Sequence, residues 1–167
     1  MTSESARLFW YRSSLATHHC IPMPPTSAGC LVTREGPHGL EVLLVHARGA
    51  SFRRPLFGIP KGLVEADEAL EATAQRETLE ETGLRVRIRA SLGSVKQKSG
   101  KIVYAFWATL EPQSAADVDA QGRCRTPDDE NDVCRFYPLD QARELMIVAQ
   151  REFLERLTQV MRRMPIS

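Results

Sequence analysis

No apolar run in this chain approaches the roughly 20 residues that a membrane-spanning helix requires. A membrane partner is therefore not expected. The N-terminus shows no charged-then-apolar leader with a cleavage site. Cysteine is scarce: Cys20, Cys30, Cys124 and Cys134 are scattered, without C-x-x-C spacing. That pattern argues against a disulfide framework and predicts reduced thiols in a cytoplasmic setting. His18-His19-Cys20 has no second ligand pair nearby, so a zinc site is not indicated. Charge of one sign is also lacking. A formal net charge of +1 gives no global attraction for a nucleic acid, which makes such a partner unexpected. There is no internal repeat and no low-complexity tract.

What remains is ordinary globular material. The 167 residues suffice for one domain with a real core, and 43 % apolar with 26 % charged residues is typical of such a domain. Residues 1–25 are polar, lack periodicity and end in IPMPP, so they read as a tail or linker before a domain spanning 26–167. Met23 is a plausible alternative start, and residues 1–22 are given no functional weight.

Strands are predicted at Ser27–Thr33 and Glu41–Ala47, joined through the Gly36-Pro37-His38-Gly39 turn. Arg48–Pro60 reads as a loop with basic and aromatic residues, among them Arg53, Arg54 and Phe57. A second strand pair is predicted at Arg85–Lys98 and Lys101–Leu110 around Ser99-Gly100, the latter strand buried on both faces. Glu111–Glu130 is polar and aperiodic, and reads as a long loop. Val133–Leu139 reads as a last short strand and Asp140–Leu145 as a helical turn. Ala149–Met164 carries the helical stripe Phe153, Leu154, Leu157, Val160, Met161, Met164.

One stretch outweighs the rest. Residues 62–84, GLVEADEALEATAQRETLEETGL, hold Gly62, Glu68, Arg76-Glu77, Glu80-Glu81 and Gly83-Leu84. Good helix formers followed by Gly83 predict a helix from about Asp67 to Thr82, with Gly83 as its C′ residue. On a helix Glu77, Glu80 and Glu81 stand at i, i+3 and i+4 and share one face. Three carboxylates so close raise each other's pKa. Water or a hard divalent cation relieves that repulsion, and magnesium is typically held by a few carboxylates together with substrate phosphates. The small residues Ala69, Ala72 and Ala74 permit close packing of this helix against a sheet, and Leu79 and Ala72 fall roughly opposite the Glu77 arc.

The spacing resembles the signature of the Nudix hydrolases, G-x5-E-x7-R-E-U-x-E-E-x-G-U with U apolar. Every position fits except the first U, where Thr78 stands. The likeness continues more loosely from Thr26 to Leu157 through SAGCLV, LLVHARG, FGIPKG, SVKQKSGKIVYAFW and AQREFLERL, pieces similar to small bacterial Nudix proteins. The IPKG entry to the box also resembles diadenosine tetraphosphate hydrolases, some of which carry threonine at the position of Thr78. The resemblance implies an α/β class, a Nudix-type α/β/α sandwich with a mixed sheet and a loop-helix-loop catalytic motif. It implies metal-dependent hydrolysis of a nucleoside diphosphate linked to another moiety, with Mg2+ or Mn2+.

Carried over by position, Glu80 and Glu81 match the principal metal-ligating glutamates. Glu77 matches one that binds metal or acts as base. Arg76 matches the arginine that orients box carboxylates, and Glu68 lies behind the metal ligands or touches a second metal. The carbonyl before the box glycine, here that of Lys61, often binds metal. A further acid from outside the box is expected among Asp128, Asp129, Glu130 and Asp132, with Glu130 favoured. Arg53, Arg54, Lys61, Lys96, Lys98 and Lys101 are candidates for neutralising substrate phosphates, and Phe52, Phe57, Tyr104 and Trp107 for stacking on a base. The expected partner is a small-molecule nucleotide, on a monomer or homodimer. A dinucleoside polyphosphate is the first choice. Nucleoside triphosphates, nucleotide sugars such as ADP-ribose, and a non-catalytic nucleotide-binding module are the alternatives.

Overall fold

A computed structural model of the protein describes residues 24–54, 56–127 and 129–164. The tail at 1–23, its His18-His19-Cys20 cluster and Asp128 lie outside the described residues. Alternation along the first strands builds the frame. β1 (Thr26–Gly36) and β2 (Gly39–Ala47) form an antiparallel hairpin in which Gly36 faces Gly39 across Pro37-His38. Gly39, the residue just after the turn, has φ of 98°, a conformation that glycine adopts without strain.

Two short strands follow inside the stretch predicted as loop: β3 (Phe57–Gly58) on β2, and β4 (Lys61–Leu63) on β1. Both are too short to leave a periodic signal. Next come α1 (Leu70–Thr82), β5 (Val86–Lys96) and β6 (Ile102–Leu110). β6 runs parallel to β1 and antiparallel to β5, so it is central and buried on both faces, as its composition suggested. β7 (Asn131–Pro138), α2 (Leu139–Leu145) and α3 (Arg151–Arg163) complete the chain. The sheet order is β3-β2-β1-β6-β5, with β4 added to β1 and β7 to β2.

Side chains alternate between two cores. Cys30 and Val32 of β1, with Leu43 and Val45 of β2, meet Ala74 of α1 on one face. Leu31, Val42 and Leu44 meet Ala142 of α2 and Phe153, Leu154 and Leu157 of α3 on the other. Helices on both faces of a mixed sheet make an α/β/α sandwich.

Several boundaries differ from the sequence reading. α1 begins at Leu70 rather than Asp67, because Asp67 sits at φ 63°, in the left-handed region that cannot enter a right-handed helix. Its buried face is Thr73, Ala74, Thr78, Glu81 and Thr82. Ala69 and Ala72 are exposed, so of the three small alanines only Ala74 packs on the sheet. The segment 111–130 is not one long loop. Pro112–Asp117 is a 3-10 turn, and Cys124 and Gly122 exchange backbone hydrogen bonds with Cys134 and Phe136. The helix predicted from Ala149 begins at Arg151, after a 3-10 turn at Val148–Gln150, and its stripe ends before Met164, which is exposed.

Candidate active site

The box helix is stopped where its glycine predicts. Gly83 takes φ 72° and its N–H donates to the Leu79 carbonyl at 2.8 Å. Thr78, the residue at an apolar motif position, is fully buried. Its hydroxyl donates to the Ala74 carbonyl one turn back at 2.7 Å, so this buried donor is satisfied.

Arg76 organises the acidic face. Its Nε and Nη2 each donate to a different Glu68 oxygen at 2.8 Å, a bidentate fork. Its Nη1 donates to Glu77 at 2.8 Å and to Glu80 at 3.2 Å. Glu68 also accepts from the Thr73 hydroxyl at 2.7 Å. The Arg76 hydrogen bond, then that of Thr73, holds the Glu68 carboxyl down at about 2. Gly62 leaves room for this arrangement. A Cβ there would lie 2.0 Å from the Glu77 carboxylate, which therefore rests directly over the backbone of β4.

Glu81 is buried at 5 % exposure, and its two oxygens are held separately. The Lys61 N–H donates to Oε1 at 3.0 Å and the Asn131 side-chain amide donates to Oε2 at 2.8 Å. Burial nevertheless pushes its pKa up to about 7, against the lowering effects of Asn131 and Lys61. Burial likewise raises Glu77, with Arg76 opposing; the charges of Glu80 and Glu130 add to the rise. Lys101 is shifted down, first by burial and then by the neighbouring Lys61, while Glu77 and Glu81 pull it up. The ammonium groups of Lys61 and Lys101 therefore stand beside the box carboxylates.

The predicted residues divide into three groups. Arg76, Glu68, Glu77, Glu80, Glu81, Gly62, Lys61 and Lys101 are brought together, with Glu130 close enough to act on Glu77. Lys96 and Lys98 are exposed on the β5–β6 hairpin. Arg53 and Arg54 line a separate cleft beside β7. Trp107 and Phe57 are core residues and Tyr104 is packed against the second core, which leaves Phe52 as the exposed aromatic ring of those four. Sequence reasoning missed Asn131. It lies between Glu130 and Asp132 of the acidic cluster, but an uncharged amide carries no signal of a metal or proton-transfer role in the sequence.

The fit of a divalent cation can be judged on the donor set. Every candidate side-chain ligand is a carboxylate and the backbone donor is a carbonyl, an all-oxygen set that suits a hard cation. Glu81 and Glu77 are partly or wholly withdrawn from water, so their charged forms gain most from a nearby cation. Among the described residues no three such side chains are already gathered at coordinating distance. Arg76 bridges Glu77 and Glu80, and Glu81 is hydrogen-bonded to Lys61 and Asn131. The donor chemistry of these residues fits a hard divalent cation.

The NUDIX domain family model matches residues 23–157 of the chain. The chain belongs to the Nudix family. Among curated relatives of this Nudix chain, Putative mutator protein MutT4 of Mycobacterium tuberculosis (strain CDC 1551 / Oshkosh) is 42% identical over 72 residues, 42% of this chain and 29% of that protein. Nudix hydrolase 21, chloroplastic, of Arabidopsis thaliana is 40% identical over 74 residues, 42% of this chain and 36% of that protein. The matches thus span about a third of those relatives. A C. elegans Ap4A hydrolase binary complex superposes with TM-score 0.64 at 20% identity, over 84% of this chain and 99% of that one. The Nudix domain of Shewanella oneidensis NrtR, complexed with ADP ribose, superposes with TM-score 0.65 at 19% identity, over 83% and 88%. At such identity these neighbours establish the fold. No helix among the described residues is long and apolar enough to cross a membrane.

Proposed function

We propose that this Nudix chain is a divalent-metal-dependent pyrophosphohydrolase, and that its substrate is a dinucleoside polyphosphate. The observation that carries the reading is the box itself: Arg76 fastened to Glu68, Glu77 and Glu80, with Glu81 held separately by Lys61 and Asn131. A chain that only bound nucleotide would have no need of this complete carboxylate set.

Glu80 and Glu81 would hold the cation, Mg2+ or Mn2+, with Glu77 and the Lys61 carbonyl completing the set and Glu130 within reach. A cation bound there supplies Lewis-acid polarisation of a phosphoryl oxygen and lowers the pKa of water. Arg76 fixes Glu77 and Glu80 in place. Glu77, which burial shifts up from the ordinary carboxylate range and Arg76 holds in place, is positioned to take a proton from attacking water, a contribution typically worth about 10²–10⁴-fold. Lys61 and Lys101 stand where negative charge on the transferring group needs neutralising.

A long polyphosphate presents more charge than a cation and one pair of ammonium groups can cover, and the arginines Arg53 and Arg54 stand outside the box to meet the remainder. ADP-ribose and nucleoside triphosphates are the competing substrates. Phosphate-release kinetics in magnesium test the assignment: kcat/KM for diadenosine tetraphosphate should exceed that for ADP-ribose, and Glu80→Gln should lose both by orders of magnitude. A preference for ADP-ribose would overturn the substrate choice alone. Near-normal turnover by Glu80→Gln and Glu81→Gln would overturn the hydrolase reading.

A further inference from the structure

Residues 122–124 lie antiparallel along β7, on the edge turned away from β2. Arg123 pairs with Arg135. The Cys124 N–H donates to the Cys134 carbonyl at 3.0 Å, and the Phe136 N–H donates to the Gly122 carbonyl at 2.8 Å. A turn at Asp119 fixes this short ribbon. Its Oδ1 accepts from the N–H groups of Gln121 at 2.8 Å and Arg123 at 2.9 Å, and Gly122 takes φ 79°. In this register Cys124 stands directly opposite Cys134.

Opposite residues of an antiparallel ladder point to the same face. At a hydrogen-bonded pair their Cα atoms are about 5.5 Å apart, inside the roughly 4.4–6.8 Å that a disulfide spans. Burial agrees with the register. Cys134 belongs to the core beneath α1, and Cys124 packs against that same core. Cys134 is 4 % exposed and Cys124 is half-buried, and both are thiols in the structure. The Cys124 sulfur leans toward the Gly122 carbonyl at 4.0 Å, and rotation about its Cα–Cβ bond carries it to Cys134.

Cys30 offers the contrast. It is fully buried on β1, and burial pushes its thiol up to about 11. β2 lies between β1 and β7, so Cys30 is two strand spacings, roughly 9–10 Å, from β7 and beyond the reach of a disulfide. The segment between Cys124 and Cys134 also matters. It holds Glu130, whose charge acts on Glu77, and Asn131, whose amide holds Glu81. A bond between the two cysteines closes that segment at its base.

We infer that Cys124 and Cys134 are a redox-active dithiol, a modification site that hydrogen peroxide oxidises to a disulfide and a thiol reductant restores. The half-buried Cys124 sulfur attacks the peroxide, becomes a sulfenic acid and releases water. The Cys134 thiol then attacks that sulfur. The S–S bond forms, the S–O bond breaks, and a second water leaves with the Cys134 proton. The two sulfurs lose two electrons, and the peroxide oxygens gain them. The bridge ties the segment that carries Asn131 to the box, and stabilises the chain chiefly by restricting its unfolded state. The site stands independently of the hydrolase reading.

Mass spectrometry of the full chain after stoichiometric hydrogen peroxide tests this, followed by non-reducing tryptic mapping. The intact protein should lose two hydrogens. The map should show the dipeptide Cys124-Arg125 linked to residues 126–135, and dithiothreitol should release it. Cys124→Ser and Cys134→Ala should each abolish the link, while Cys20→Ser and Cys30→Ser keep it. Oxidised wild type should melt about 5–10 °C above the reduced protein, and Cys124→Ser should melt alike with and without peroxide. If Cys134→Ala fails to fold, Cys124→Ser and the mapped peptide decide the matter alone. Absence of the cross-link, a bridge through Cys20 or Cys30, or peroxide oxidation that stops at a sulfinic acid on Cys124 overturns the inference. So does a Cys124–Cys134 bridge that lowers the melting point, because the native ladder would then not hold the two sulfurs within reach.

Discussion

Glu81→Gln should make the metal-free protein more stable and less active at once. Glu81 is buried, and burial raises its pKa from the ordinary 4.5 to about 7. The sign follows from linkage. A carboxyl whose folded pKa lies above its unfolded value favours folding while protonated, below about pH 4.5. That contribution is lost as pH rises through about 7. Each pKa unit corresponds to about 1.4 kcal/mol, so the chelated wild type should lose on the order of 3 kcal/mol between pH 5 and pH 8.5 through this residue. Glutamine cannot ionise and escapes the loss. It can also keep both hydrogen bonds: its carbonyl accepts from the Lys61 N–H, and its amide donates to the Asn131 oxygen once that side chain flips.

Other carboxyls do not blur the comparison. Glu68 is held near 2, so it is charged throughout this window and its stabilising contribution is constant. Glu77 is raised and adds a loss of the same sign, slightly smaller in the variant because the Glu81 charge coupled to it is gone. Thermal melts in EDTA at pH 5 and 8.5 provide the assay. For a domain of this size about 3 kcal/mol corresponds to roughly 6–12 °C, so the variant should melt above wild type by about that much at pH 8.5 and converge with it at pH 5. Identical pH dependence in the two proteins would refute the reasoning. It would mean that Glu81 is solvated, and therefore not a buried charge awaiting a cation.

Magnesium should raise the melting point of the wild type at pH 8.5, by about 2.7 kcal/mol at a hundredfold excess over its Kd, and should do little for Glu81→Gln; melts with and without metal check both. Arg76→Lys should cost about 1–3 kcal/mol and most of the activity, because an ammonium cannot span Glu68, Glu77 and Glu80 together; denaturant melts and kinetics measure it. Gly62→Ala should fold normally yet lose about 10²-fold in kcat/KM, since the new Cβ displaces the Glu77 carboxylate. Thr78→Val should change stability by about 1 kcal/mol or less and leave turnover intact, because it removes a buried donor and costs the Cys30 thiol only a weak sulfur hydrogen bond.

The parts legible in the sequence are those in which one local segment carries its own geometry. The box helix, its Gly83 stop and the shared face of Glu77, Glu80 and Glu81 follow from spacing. The hairpins at Gly36–Gly39 and Ser99-Gly100 follow from turn chemistry. What was not legible depends on residues far apart in the chain. β3 and β4 have too few residues for a period, and they exist because β2 and β1 offer open edges at Val45-His46 and Ser27–Gly29. Asp67 delays the start of the helix through a backbone conformation that its side chain does not announce.

The same distinction accounts for Asn131 and Lys101. Asn131 and Glu81 are 50 residues apart, and only the β2–β7 pairing carries the 129–132 segment over the C-terminal turns of α1. Lys101 shows the converse: as one of three lysines around a hairpin it was indistinguishable from Lys96 and Lys98 until the parallel β1–β6 register placed its end of β6 beside β4 and Lys61. The chemistry of the box is therefore local and readable from motif spacing. The surroundings of the box are assembled by strand pairing, which brings Asn131 of β7 and Lys101 beside it from distant parts of the chain.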